Sequence, residues 1–458
     1  MARFGDLPEE TVLGIWPYIH PNAIESFALT CRKIYNLGAK AITEHNRLRK
    51  IYRVLVNEPS EETEMGLSKP PRSELLINPL VDIMREPRIA YYVREVRMQY
   101  CSKSWGEMFD DAVRKRETYR HLDTLSRLLE GCKYLRHSEI NHWWYQIKKG
   151  NEGPMLGLLL YLSPNVRIIS FDSYNIEAGL CLEFIRRMAQ DQTSLALSRL
   201  NEVTIEASAP DGTEYFSALT TFALLPSVTK IIGRFIDDYG TCDGEIRTDL
   251  IGADFRPKAS NVKTLELQYV NLRSKIFSRL LGMFKSLESF AYCPCTFRWP
   301  AAKIFDLDSF VIRRAVALHA KDSLKTLTLL TRDRKKQYMG TIHDFRSLAT
   351  LTTDWGLLLP PGQIDSCMLA AALPTSIEEV TLLADGKFKP RRGRRLIRHL
   401  VVCTRYDHPG LGIFSLKHLT VPAMEILGND KTVEIAQATG LTLRLDSTSN
   451  AFSAIETR

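Results

Sequence analysis

From Val93 onward one arrangement of apolar and polar positions recurs: an apolar residue, two others, an apolar residue, one other, and a third apolar or small residue. It runs Val93/Val96/Met98, Val166/Ile169/Phe171, Leu200/Val203/Ile205, Val228/Ile231/Gly233, Val262/Leu265/Leu267, Leu287/Phe290/Tyr292, Leu324/Leu327/Leu329, Leu348/Leu351/Thr353, Ile377/Val380/Leu382 and Leu416/Leu419/Val421, with Leu135/Ser138/Ile140 as a weaker member. The alternation inside each triplet is the period of a strand with one buried face. From Val166 to Leu416 the triplets recur on average about every 31 residues, somewhat longer than the roughly 20 to 29 of leucine-rich repeats. Between them lie stretches of helical period: Leu180 to Ala189, Tyr215 to Leu225, Ile276 to Phe284, Phe310 to Ala320, Ile364 to Leu373 and Leu396 to Cys403. A strand and a crossover helix, repeated, predict an α/β chain whose parallel strands carry helices on one side, a leucine-rich-repeat-like solenoid over residues 86–458.

Strand side chains alternate, so the positions between the buried ones face the open side. They are mostly threonines (Thr204, Thr264, Thr326, Thr328, Thr350, Thr352, Thr381 and Thr420), with Arg97, Lys230, Glu266 and Glu379 among them. Threonine suits any wet strand, so the row reads either as solvated β-former or as a surface for a target protein. Just past two strands, Tyr269 and Trp355 are candidate aromatic anchors for that target, with core packing as the alternative.

The first fifty residues follow a different period. Pro8 suits the first turn of a helix, Glu9 and Glu10 suit its positive end, and Val12, Ile15, Trp16 and Ile19 share a face until Pro17 breaks the ladder. Asn22 and Glu25 have the spacing of a capping box, and Ile24, Phe27, Ala28, Cys31, Ile34 and Tyr35 form the stripe of a second helix. A unit of roughly 40 residues without metal or disulfide spacing is too small to bury so many apolar side chains, so part of this surface is expected to meet a partner. The alternative is a shield for the open end of the solenoid.

This segment resembles an F-box, the module that ties a substrate receptor to the Skp-type adaptor of cullin-based SCF ubiquitin ligases. Leu7-Pro8 with Glu10 is similar to the opening of that motif, Ile15-Trp16, Tyr18-Ile19 and Pro21 to its middle, and Ile24, Phe27, Leu29 and Cys31-Arg32-Lys33 to its second helix. The repeats that follow look like the irregular leucine-rich repeats of fungal-type F-box proteins. The resemblance implies a helical module over residues 1–56, a linker over 57–85 and the solenoid beyond. It also implies adaptor contacts by Leu7, Pro8, Val12, Ile15, Trp16, Tyr18, Ile19, Pro21, Ile24, Phe27 and Cys31. The implied partners are a Skp-type adaptor, a cullin and an unidentified protein substrate. The other expectation is a leucine-rich-repeat scaffold with no ligase partner.

Composition changes this picture little. The start MARFGDLPEE lacks a basic, apolar leader, and the most apolar run, Met155 to Leu162, is too short to span a bilayer, which predicts a cytoplasmic or nuclear protein without a membrane. The nine cysteines are scattered apart from Cys293 and Cys295, a pattern of reduced thiols. A net charge of +8 over 458 residues is too mild to point to nucleic acid. The densest cationic run, Lys387 to His399, reads as a solvated loop, an acidic-substrate contact or a nuclear localisation signal. No phosphate-cradling loop, dinucleotide fingerprint or nucleophile elbow occurs, and HSEINH lacks the zinc-protease histidine spacing. No cofactor, metal or catalysis is expected.

Overall fold

The structure, a computed structural model, describes residues 7–57, 76–98, 120–148, 152–172, 178–191, 193, 195–206, 213–236, 255–270, 272–294, 309–330, 338–358, 368–383, 400, 415–422, 434, 436–438 and 440–446. The chain divides into two compact units, Met1–Ala209 with Ser217–Val228, and Pro210–Phe216 with Thr229–Arg458.

The first unit opens with short helices. α1 (Glu9–Ile15) gives way at Pro17 to a 3-10 turn (Trp16–Tyr18), as the missing proline donor requires. After a second 3-10 turn (Pro21–Ala23), the single helix expected from Asn22 to Tyr35 is broken into α2 (Ile24–Ala28) and α3 (Arg32–Leu37). The break falls where the Thr30 hydroxyl donates to the Phe27 carbonyl (2.7 Å) and Cys31 turns extended. The expected capping box does not form: the Glu25 carboxylate pairs with Arg49 instead, and His20 Nδ1 accepts from the Asn22 amide at 3.2 Å. α4 (Ala39–Tyr52), which the sequence pattern did not reveal, follows almost directly.

Strands β1 (Val54–Asn57), β2 (Glu95–Met98), β3 (Ile168–Asp172) and β4 (Glu202–Glu206) then pair in chain order, all parallel. β1 lies inside the segment assigned to the helical module. The expected linker ends in a helix (Ile77–Arg85) that buries Ile77, Leu80, Val81 and Ile83, because an apolar stripe needs a core to cover it. The weak triplet at Leu135 is not a strand; its later positions belong to the helix His137–Lys148. With the helices Leu122–Gly131, Glu152–Leu162 and Ala178–Gln190, it encloses Trp143 and Phe184, whose rings lie 4.9 Å apart. Glu139 of the HSEINH run takes two 2.6 Å hydrogen bonds from Arg187, a structural tie between two helices.

The second unit carries β5 (Lys230–Arg234), β6 (Thr264–Val270), β7 (Ser289–Pro294), β8 (Thr326–Leu329), β9 (Thr350–Asp354), β10 (Glu379–Leu383), β11 (His418–Pro422) and β12 (Thr442–Asp446). These too are parallel and in chain order. The second and third positions of every predicted triplet except the weak one lie on a strand, the first lies two residues ahead of it, and all three are buried. The helices Ser274–Gly282 and Ser309–Ala320 occupy the predicted gaps. Met368–Ala372 realises part of another, and Leu396 to Cys403 falls, apart from Leu400, outside the described residues, as does the cationic run from Lys387 to His399. The architecture is α/β and solenoid-like in its strand order. Among the described residues, no helix is long and apolar enough to cross a membrane.

Candidate interaction surfaces

The helical module forms a small core of its own. Val12, Trp16, Ile24, Ala28 and Ile34 are buried together, with Leu7, Ile19, Phe27, Cys31 and residues of α4 packed around them. The Phe27 ring meets the Trp16 ring edge-on at 5.1 Å. Gly38 sits so close to Trp16 that an added Cβ would land on the indole, so the α3–α4 junction admits no side chain. α4 supplies the cover that two helices alone lacked. Of the expected adaptor contacts, Val12, Trp16 and Ile24 are buried in this core, and Pro21 is buried beside it.

Some apolar side chains nevertheless remain on the outer surface of the module. Tyr18 is 88% exposed and Leu29 80%, with Leu13 and Tyr35 about half exposed. Pro8 is exposed, and Leu7, Ile15, Ile19, Phe27 and Cys31 are half-buried, each reachable from outside. Isolated apolar side chains on a surface need no explanation, but several on a module of this size mark a candidate docking face.

On the strands, the predicted polar row is where alternation puts it. Thr204, Thr264, Thr326, Thr328, Thr350, Thr352, Thr381 and Thr420 are half-exposed, each next to at least one buried residue. Register stacks them: Thr328, Thr352, Thr381 and Thr420 are successive partners from β8 to β11. Arg97 is exposed and pairs with Glu95 at 2.5 Å; Lys230 and Glu266 approach to 3.7 Å; Glu379 stands beside Thr350. Tyr269 sits at a register shift in β6 with φ +57 and stacks on Phe235 at 4.9 Å, leaving part of the ring accessible. Trp355 is not an anchor: it is 0% exposed, folded into the core at the start of the short helix Trp355–Leu358. Cys293 is buried, and Cys295 lies outside the described residues.

One feature was not read from the sequence. Among the described residues of the first unit, an open cavity lies where α4 meets the beginnings of β1, β2 and β3, lined by Arg49, Arg53, Arg94, Arg167 and Arg199. His45 also borders it, its Nδ1 2.9 Å from the Tyr92 hydroxyl and its pKa lowered chiefly by burial, which favours the uncharged imidazole. The signal was present: Arg94 and Arg167 each follow the first apolar residue of a strand triplet.

Comparison with protein-family models gives no match, and neither does comparison with curated proteins.

Proposed function

We infer that the chain is a substrate receptor of an SCF-type cullin ubiquitin ligase, its N-terminal helices docking a Skp-type adaptor and its strand face holding a protein target. The observation that carries this reading is the set of exposed apolar side chains on a module that has its own filled core, above all Tyr18 and Leu29. The motif from Leu7 to Leu37 supports it. Such a receptor performs no chemistry; it raises the effective concentration of the target near enzymes carried by other subunits.

The test is recovery of adaptor and cullin with the tagged full chain from native lysate. Tyr18→Glu and Leu29→Glu place charge on exposed positions and are expected to abolish adaptor recovery with no change in melting temperature. Adaptor retained by both variants, or never recovered with the unaltered chain, would refute the reading.

A scaffold in which the helices only cap the repeats is the second reading. It is favoured by the module's ties to the first repeats, where Arg94 donates to Asn22 Oδ1 at 2.9 Å and the His20 and Tyr91 rings meet at 4.2 Å. Under it, the same two substitutions leave every recovered partner in place.

A further inference from the structure

The cationic cavity of the first unit has a volume of about 530 Å³, within the range of small-molecule sites. Its charge comes from backbone register. Arg53, Arg94 and Arg167 immediately precede β1, β2 and β3 and share one rung of the parallel ladder. The amides of Arg94 and Glu95 donate to the Arg53 carbonyl (3.0 and 3.1 Å), and those of Arg167 and Ile168 to the Arg94 carbonyl (2.7 and 3.2 Å). Adjacent strands lie about 4.8 Å apart, so the three side chains spring from points spread over roughly 10 Å. Arg49 of α4 and Arg199, just ahead of β4, bring two more guanidinium groups to the same cavity.

Among the described residues, the carboxylates lining the cavity are Glu25 and Glu95, and they offset only part of this charge. Glu25 is engaged by Arg49 and Glu95 by Arg97. Arg94 is held by neutral oxygens, Asn22 Oδ1 at 2.9 Å and the Asn165 carbonyl at 3.4 Å. Arg53, Arg167 and Arg199 make no side-chain hydrogen bond or ion pair among the described residues. Burial first, and then the charges of Arg167, Arg199, Arg49 and Arg53, lower the Arg94 pKa. Like charges facing each other across neighbouring strands destabilise a sheet, so an all-arginine rung weakens the fold for as long as it stays empty. Arginine, with its planar fork of donors, is the side chain suited to bidentate recognition of phosphate.

We propose that this cavity binds a compact ligand carrying two or more phosphate groups, bridging the helical module and the first three strands. A single phosphate is too small to engage guanidinium groups spread over three strands. Because Arg49 belongs to the module and Arg53, Arg94 and Arg167 to the strands, occupancy fastens one to the other. An inorganic polyphosphate and a phosphate ester share the required chemistry. The proposal does not depend on the ubiquitin-ligase reading.

Calorimetric titration of the full chain at 0.15 M salt, with inorganic tripolyphosphate, ATP and orthophosphate as probes, tests it. Tripolyphosphate or ATP is expected to saturate a single site and to bind at least tenfold more tightly than orthophosphate; whichever of the two is tighter identifies the source as inorganic chain or ester. The double variant Arg53→Gln/Arg167→Gln, and separately Arg199→Gln, weaken that binding at least tenfold and remove the ligand-induced rise in melting temperature. Without ligand these variants melt no lower than the unaltered protein. Lys263→Gln/Lys325→Gln, on the corresponding rung of the second unit, leaves binding unchanged. The proposal is overturned by absence of saturable binding at millimolar probe, by arginine variants that bind as the unaltered chain does, or by capture of a polyglutamate peptide in preference to both polyphosphates.

Discussion

The rung just ahead of the strands is built from opposite materials in the two units. In the second it alternates in sign: Lys263 and Lys325 flank Glu288 at 2.9 and 2.7 Å, and Lys417 pairs with Glu378 at 2.9 Å. Lys263 first, then Lys325, holds the Glu288 carboxyl down to about 2. In the first unit the same rung reads Arg53, Arg94, Arg167, with no carboxylate among them. The backbone hydrogen bonding is the same in both, so the parallel ladder places the charges and leaves their sign to the side chains. Where signs alternate, the rung neutralises itself; where they repeat, the protein keeps an unspent positive field. Among the apolar residues the contrast is one of position: Trp355 lies wholly inside, whereas Tyr18 and Leu29 of the helical module stand on the surface.

The sharpest way to press this contrast is to truncate one ring from each side of it. Trp355→Ala is expected to cost about 3–5 kcal/mol, as a large buried side chain lost from a core does. Tyr18→Ala should stay within about 0.5 kcal/mol, the range of ordinary surface changes. Hydrogen exchange resolved by unit would register both, and a large loss at Tyr18 would break the distinction between interior and docking residues.

A smaller effect is expected at the module's tightest contact. Gly38→Ala pushes a methyl into the Trp16 indole and should destabilise α1 to α4 by about 1–3 kcal/mol, typical of overpacking. Gly14→Ala, with nothing within 4 Å of the added carbon, should be neutral or stabilise by up to about 1 kcal/mol through helix propensity. Thermal unfolding of the two variants orders them.

The charge rungs themselves predict shifts of opposite direction. Arg167→Glu sets a carboxylate beside Arg94 on the rung and should raise the melting temperature of the ligand-free protein by about 1–3 °C, whereas Lys325→Glu sets like charges beside Glu288 and should lower it by a similar amount. Equal signs for the two substitutions would dissolve the comparison.

The smallest effect is the pH dependence of Glu288. Its folded pKa of about 2 lies below an unfolded value of about 4.3, so its contribution to stability is complete above pH 4.3 or so and disappears as pH falls towards 2. Exposure and salt keep that contribution small. Glu288→Gln should flatten the matching part of the acid-unfolding profile in low salt.

Strand positions and their order were legible in the sequence because alternation is a local property: a triplet of apolar residues with polar ones between them makes one wet face and one dry face wherever the chain runs. β12 escaped that reading because Gly440, at φ +74, occupies the place of the leading apolar residue. β1 escaped it because register pairs Leu55 with Val96 and Asn57 with Met98, so that a polar residue stands where the third apolar position would be. What the sequence did not determine is which apolar side chains of the first 37 residues close upon one another. That was decided by the break between α2 and α3 and by the arrival of α4, which enclosed Val12, Trp16 and Ile24 and left Tyr18 and Leu29 outside. The arginine rung divides the same way. Each arginine is visible in the sequence beside its strand, but residues 53, 94 and 167 become neighbours only through inter-strand register, which is set by long-range packing and not by any local pattern.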